Sequence, residues 1–476
     1  MFPLPPRHFA HPPLDFIPQA YSAWVLRLVH GILPLLLRVR VRRWLPSGIA
    51  KVEATGAETL AQLYRQFQEG RIRLILAFRH VEVDDPLPGL YFFSRLVPQA
   101  ARRHGIPLKW PVHVHFLYDR GMPLWGGGWL GWLLAHLGGI PVHRGRRVDR
   151  LALNASRRLL IDGQFPFAVA PEGATNGHSE RLNPLEPGTA QLCFWCVEDL
   201  AKAGRSEAVV IVPVGIQYRY TDPSWEKLER LLQRLERLSG LVVQPLDPKA
   251  EKQRNTLYAQ RVCRLGQHLL TQMEAFYVPN HNSHEEEQAA PDFNTRLDRV
   301  CQRALEIAET HFGLPVAQGD WNGRCRRIEE AAWTQIYREE LRDPSSLSPL
   351  WRGLLDWKAQ QATLQMQHMR LVESCVAVRE EYLLEKPSFE RLAETTLILF
   401  DVLARLKGEA YPARPRLGWR GVRFTVGDPI SVTERWENYR QGRQGSKQAV
   451  AQLTQDLQLA LERMIRPSSG EIRGQQ

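Results

Sequence analysis

The chain has 476 residues, 44% of them hydrophobic and 24% charged, which suits a globular protein of two or three domains and excludes wholesale disorder. Its formal net charge of +11 points to anionic partners such as phospholipid headgroups or phosphorylated substrates, whereas nucleic acid is not expected, because no zinc-finger spacing or RNA-recognition signature accompanies the charge. The six cysteines are dispersed, with one C-x-x-C at Cys193-Phe194-Trp195-Cys196 in an apolar run, so they read as buried thiols of a reducing compartment rather than as a disulfide scaffold.

The N-terminus opens Met1-Phe2-Pro3-Leu4-Pro5-Pro6-Arg7, without the pattern of a cleavable signal. Residues 17–37 are mostly apolar but interrupted by Pro18, Gln19, Arg27, His30 and Pro34. A membrane span wants ~20 predominantly apolar residues, and a central arginine costs ~2.5–3.5 kcal/mol on insertion scales. The cluster Arg38, Arg40, Arg42 and Arg43 follows, flanked by Trp24 and Trp44. This pattern predicts that residues 1–48 form a helical segment lying in the interface of an anionic membrane surface, peripheral and on the cytoplasmic face. A buried helix of the core is the alternative.

From 49 to 221, apolar runs of strand length alternate with helical patterns. Strands are predicted at 74–78, 112–118, 165–170 and 209–214, and helices at 54–68 and 148–160. Such alternation predicts an α/β fold with helices against a sheet. Directly after the first of these strands comes His80-Val81-Glu82-Val83-Asp84-Asp85-Pro86. The run Trp125-Gly126-Gly127-Gly128-Trp129-Leu130-Gly131-Trp132 joins large aromatics to glycines without charge, which suits an apolar groove, a dip into lipid or tight packing. It is no phosphate loop, since no Gly-Lys-Ser/Thr follows. Further on stand Gly138-Gly139-Ile140-Pro141-Val142-His143-Arg144, then Ala170-Pro171-Glu172-Gly173-Ala174-Thr175-Asn176, then Val209-Val210-Ile211-Val212-Pro213.

The texture changes near Asp222. Residues 222–412 are predicted to be almost wholly helical, with segments at 225–238, 251–277, 295–312, 327–341, 351–382 and 389–406 and a polar linker at 280–287. Residues 413–476 return to a strand, 421–430, and close with a helix at 447–465.

The ordered series of motifs resembles the four sequence blocks of the glycerolipid acyltransferases, the family typified by lysophosphatidate acyltransferase. One H-x4-D occurs by chance in most chains of this length, whereas four blocks in order, each beside a strand-like run, make a specific signature. The resemblance covers 50–220 and 415–435. It implies a mixed sheet flanked by helices, with an acyltransferase core at 49–221, a large helical insertion at 222–412, and the core completed by 413–476. The implied activity is transfer of a fatty acyl group from acyl-CoA or acyl-carrier protein to a lysophospholipid such as 1-acylglycerol 3-phosphate, with no metal and no cofactor beyond that thioester co-substrate.

The resemblance also implies roles for particular residues. His80 would be the general base and Asp85 its partner, the family spacing selecting Asp85 over Asp84. Arg144 would bind the acceptor's phosphate, which a guanidinium grips bidentately. Glu172 and Gly173 would shape the acceptor site, Gly138 matches the opening of the second block, and Pro213 would line the pocket. The chain departs from the pattern at Arg79, where family members often have Asn, at Pro141 and Val142, at Ala170, and at Thr175 in place of an arginine. That last change forgoes a charged hydrogen bond worth ~1.5–3 kcal/mol. Either Arg144 and its neighbours Arg146 and Arg147 compensate, or the acceptor is not a simple glycerol phosphate.

The chemistry agrees with the residue types. Esterifying a hydroxyl with a thioester needs a base to take the alcohol's proton, and neutral imidazole suits this because its ordinary pKa lies near 6.5. A carboxylate on the other ring nitrogen fixes the tautomer and stabilises the developing imidazolium. On one continuous helix His80 and Asp85 would stand about 140° apart, so they meet only across a turn, which a strand followed by a helix from Pro86 supplies. A competing reading makes Asp85 merely an N-cap, but Pro88 lacks an N–H and leaves Leu87 as the donor. Rival functions find less support. His113-Val114-His115 has a spacing zinc enzymes use but no third ligand, His281 and His284 lie in the polar linker, and no Gly-x-Ser-x-Gly elbow is present. The alternatives that remain are an inactive acyltransferase-like membrane interaction protein and an acyltransferase for a non-phosphorylated lipid alcohol.

Overall fold

Uninterrupted apolar runs leave no face for solvent, and the runs between 72 and 214 accordingly become the inner strands of one sheet. The computed structural model describes residues 9–40, 48–143, 149–243, 253–277, 292–343, 345, 347–375, 378–409 and 412–467. Its strands are β1 (Ile49–Thr55), β2 (Ile72–Phe78), β3 (His115–Asp119), β4 (Gly139–Val142), β5 (Phe167–Val169), β6 (Ala208–Pro223), β7 (Gly418–Val426) and β8 (Ile430–Ser431). They form an eight-stranded sheet in the order β1-β7-β6-β2-β5-β3-β4, with β8 also on β6. Strands β2 to β5 pair in parallel, as do β2 with β6 and β1 with β7. Strand β6 pairs antiparallel with β7 and β8, so the sheet is mixed. The architecture is α/β, with helices flanking this sheet.

The strand expected at 421–430 is two, β7 and β8, the one expected at 165–170 is only Phe167–Val169, and two further strands differ from their expected bounds for reasons the contacts show. The strand expected from 112 starts at His115, because Pro111 has no amide and the Tyr64 hydroxyl takes both backbone groups of His113, at 3.0 Å from its N and 2.8 Å from its O. The strand expected to stop near Pro213 runs on to Pro223, since β7 gives it a partner from Val214 to Pro223. Pro213 therefore interrupts nothing. It sits mid-strand opposite Ala77, and its carbonyl accepts from Gly427 N at 2.9 Å.

The chain divides into two compact units. One comprises Ile17–Val142, Asp149–Lys227 and Pro415–Gln476 and carries the sheet; the other comprises Met1–Phe16, His143–Val148 and Leu228–Arg414, and its named elements among the described residues are all helices. In the sheet unit, α1 (Ala23–Arg38) starts at the N-cap Ser22 and buries Val25, Leu26, Val29, Leu33 and Leu37. It is thus an integral layer of the core, the alternative raised for 17–37, while its other face stays exposed and apolar at Trp24, Leu28, Ile32 and Leu35. Residues 41–47, with Arg42, Arg43 and Trp44, lie outside the described residues. Helix α2 (Ala57–Gln68) packs Leu60, Tyr64 and Phe67 into the same core.

In the helical unit, the helix expected at 327–341 runs Trp321–Ile336 instead, started by Asp320, whose carboxylate caps Gly323 N at 3.1 Å. The long helix expected at 351–382 is two, Pro349–Cys375 and Glu380–Leu384. Buried charge here is paired: Glu309 takes both Arg324 Nε and Nη2, at 2.8 and 2.9 Å.

Candidate active site

Strand β2 ends at Phe78, and the Arg79 N–H still reaches the Val214 carbonyl at 3.1 Å. The chain then turns over residues 80–85 before entering α3 (Pro86–Tyr91). That turn brings His80 Nδ1 to 2.9 Å from Asp85 Oδ2. Although Asp85 stands at the helix start, its side chain makes no capping hydrogen bond. The carboxylate faces backwards instead, and its Oδ2 also accepts from Val81 N at 2.8 Å and Glu82 N at 3.1 Å. An oxygen already receiving two amide protons is an acceptor towards the ring. In the neutral ring the proton therefore sits on Nδ1, and Nε2 presents a lone pair. Nε2 has no hydrogen-bond partner among the described residues, and the His80 side chain is 25% exposed.

The neighbouring Asp84 is committed elsewhere. It is fully buried, and Arg420 Nη2, on the return strand β7, donates to its Oδ2 at 2.8 Å. Burial opposes the charge on Arg420, but Asp84 and Glu82 overturn that and hold its pKa above the ordinary value. Of the two adjacent aspartates, Asp85 stands against the imidazole and Asp84 against Arg420. The other Asp85 oxygen, Oδ1, accepts from the Tyr218 hydroxyl on β6 at 2.6 Å.

Glu172 comes close to the dyad from beneath. It has no exposed surface; its Oε1 accepts from the His80 backbone N at 2.8 Å, and its Oε2 from Asn176 Nδ2 and Asn183 N, both at 3.0 Å. Burial pushes its carboxyl up, against the pull of Arg79 and those amides. With both oxygens turned inward, Glu172 holds the histidine's backbone rather than facing a ligand. Gly173 follows in a turn at φ 70°, a conformation that favours glycine. Arg79 is buried, and its guanidinium donates to the carbonyls of Ser179, His178 and Arg181 at 2.7, 3.0 and 2.5 Å, which ties the 178–181 loop to the end of β2.

The other expected site residues stand apart from this cluster. Gly138 adopts φ 86°, and its carbonyl lies 3.1 Å from His115 Nδ1, so it serves the β3–β4 corner. Pro213 supports the strand beside Ala77. Arg144, with Arg146 and Arg147, lies outside the described residues, as do His281 and His284. His113 and His115 do not converge on a common point as ligands. Their rings engage the carbonyls of Leu137 and Gly138 separately, and burial pulls them down to about 3 and about 4. Cys193 and Cys196 are free and buried, and burial pushes the Cys196 thiol up to about 12, which makes it a poor nucleophile.

Sequence reasoning missed Tyr218, Arg420 and the structural use of Arg79. A signal for Tyr218 was present: Val214, Ile216 and Tyr218 alternate along one strand face and are all buried. No family model, no curated protein and no solved structure matches this chain.

Proposed function

We propose that the protein is a membrane-associated O-acyltransferase that moves a fatty acyl group from a thioester donor to the hydroxyl of a lysophospholipid, with His80 and Asp85 as its general-base dyad. The observation that carries this reading is the dyad itself: an imidazole fixed at Nδ1 by a carboxylate, with Nε2 unengaged and reachable. The four-block resemblance supplies the substrate class.

In this mechanism Nε2 takes the acceptor's hydroxyl proton as its oxygen attacks the thioester carbonyl. Asp85 stabilises the imidazolium from the Nδ1 side. The tetrahedral intermediate then collapses, the C–S bond breaks, and the imidazolium returns the proton to the departing thiolate. Base, proton and leaving group balance without a covalent enzyme intermediate. Positioned general bases contribute ~10²–10⁴ in rate, which sets the loss expected when the imidazole is removed.

The test is incubation of the purified protein with labelled acyl-CoA or acyl-carrier protein and a panel of lysolipids, with products read by mass. His80→Ala should lower transfer by ~10²–10⁴ while leaving the thermal midpoint close to that of the parent. Equal turnover by parent and variant would remove His80 from the mechanism. A preference for neutral monoacylglycerol over lysophosphatidate would move the acceptor to a non-phosphorylated alcohol.

A further inference from the structure

We infer that Tyr218 is a positioning residue for this chemistry: its hydroxyl locks the Asp85 carboxylate that orients His80, and the Arg420–Asp84 pair locks the tyrosine. The proposal rests on the acyltransfer reading for its kinetics but not for its spectroscopy. Asp85 has two oxygens with different duties. Oδ2 serves the imidazole and two backbone amides, whereas Oδ1 has one donor among the described residues, the Tyr218 hydroxyl at 2.6 Å. Without that donor the carboxylate would have a bare buried oxygen and could lower its energy by rotating away from His80.

The tyrosine is itself held on several sides. Its ring is buried, and the Arg420 guanidinium carbon stands 4.7 Å from the ring centroid. Arg420 Nη2 bonds Asp84 Oδ2 at 2.8 Å, and Nη1 lies 3.6 Å from Glu82 Oε1. The Tyr218 hydroxyl is 3.5 Å from Asp84 Oδ1 but 2.6 Å from Asp85 Oδ1, so its proton goes to Asp85. Tyr218 lies on β6 and Arg420 on β7, the strand that returns after the helical unit. The dyad is therefore completed by the C-terminal segment of the chain, and the return strand brings in the charge that fixes the site.

The experiment compares the full-length parent with Tyr218→Phe. The first readout is steady-state acyl transfer from palmitoyl-CoA to 1-acylglycerol 3-phosphate. The second is the downfield proton resonance of His80 Nδ1–H, assigned by its loss in His80→Gln. Removing the hydroxyl frees the carboxylate to turn off the ring, so the resonance should move upfield or vanish through exchange, and kcat should fall about ten- to a hundredfold with KM unchanged. Site-specific 3-fluorotyrosine at position 218 keeps the shape and strengthens the donor, so it should move the resonance upfield; it decides the matter if the phenylalanine variant does not fold. An unmoved resonance in the folded variants, or a raised KM at unchanged kcat, would overturn the proposal. If the parent transfers no acyl group at all, the acyltransfer reading falls, and the resonance alone still decides the role of Tyr218.

Discussion

Glu172 is a carboxylate with three donors and no solvent, and that balance makes it the least replaceable polar side chain beneath the dyad. Its oxygens receive the His80 amide, the Asn176 side chain and the Asn183 amide. A glutamine has the same shape but only one acceptor oxygen, so its NH2 must face one of these N–H groups. A buried donor left unsatisfied costs ~1–3 kcal/mol, and Glu172→Gln should lose about that much stability in denaturant titration. Because the His80 backbone hangs from Glu172, acyl transfer should fall with it. A variant as stable as the parent would mean that the donors find other partners. The inward aim of Glu172 also shows the limit of reading a motif. Its place beside Gly173 was legible, but the direction of a side chain depends on which loop packs over it, here 176–183.

At the scale of elements, the sheet order explains what the sequence could and could not reveal. Uninterrupted apolar runs identified β2 and the first half of β6, and the strand–turn–helix that folds His80 onto Asp85 followed from five-residue spacing and Pro86. The far half of β6 was hidden because its partner β7 lies beyond the helical unit, and no local pattern encodes pairing at such separation. The same long-range packing created a second feature, three buried histidines between α1 and the β3 end of the sheet. Burial holds His113 at about 3 and His115 at about 4; burial and then Arg95 hold His30 at about 4. All lie below the ordinary 6.5, so between those values the unfolded chain binds more protons than the folded one. Their contribution to stability is complete above about pH 6.5 and is lost as pH falls, through about 4 for His30 and His115 and about 3 for His113. At about pH 5 the loss is roughly 2 kcal/mol for each of His113 and His115, since a tenfold change in proton affinity is worth about 1.4 kcal/mol. Thermal midpoints should therefore decline from neutral pH to about pH 5, and His113→Gln, which keeps a donor for the Leu137 carbonyl, should flatten the slope. A variant that declines as steeply as the parent would exclude His113 as a source of the acid sensitivity.

For the molecule as a whole, the proposed membrane association would draw on net charge and exposed aromatic surface together. Among the described residues no helix is long and apolar enough to cross a membrane. Yet α1 is apolar on both sides: one face fills the core, and the other leaves Trp24 68% exposed with Leu28, Ile32 and Leu35 along the same line. Backbone bonds from Ala20 and Ser22 to Ala135 and His136, at 3.1 and 2.9 Å, set the start of α1 beside the helix Gly128–His136. There Trp132 stacks on His136 at 4.2 Å, and the Arg27 guanidinium lies 5.1 Å from the Trp110 ring. Trp24, Trp110 and Trp132 thus gather about one end of α1, all largely exposed, with Arg27 and Lys109 exposed among them. Tryptophan with basic residues is the composition that settles at a headgroup boundary. The formal charge of +11 favours an anionic surface over a neutral one. The full-length protein should therefore co-float with phosphatidylglycerol vesicles and only weakly with phosphatidylcholine ones. Raising the salt from ~0.1 M to ~1 M shortens the screening length from ~10 to ~3 Å and should weaken binding without abolishing it, because the aromatic part is unscreened. Trp24→Ala and Trp132→Ala should each cost about tenfold in partitioning at either salt, as ~1.5 kcal/mol of apolar burial is forgone. Partitioning that ignores lipid charge and survives both substitutions would place the contact elsewhere on the molecule.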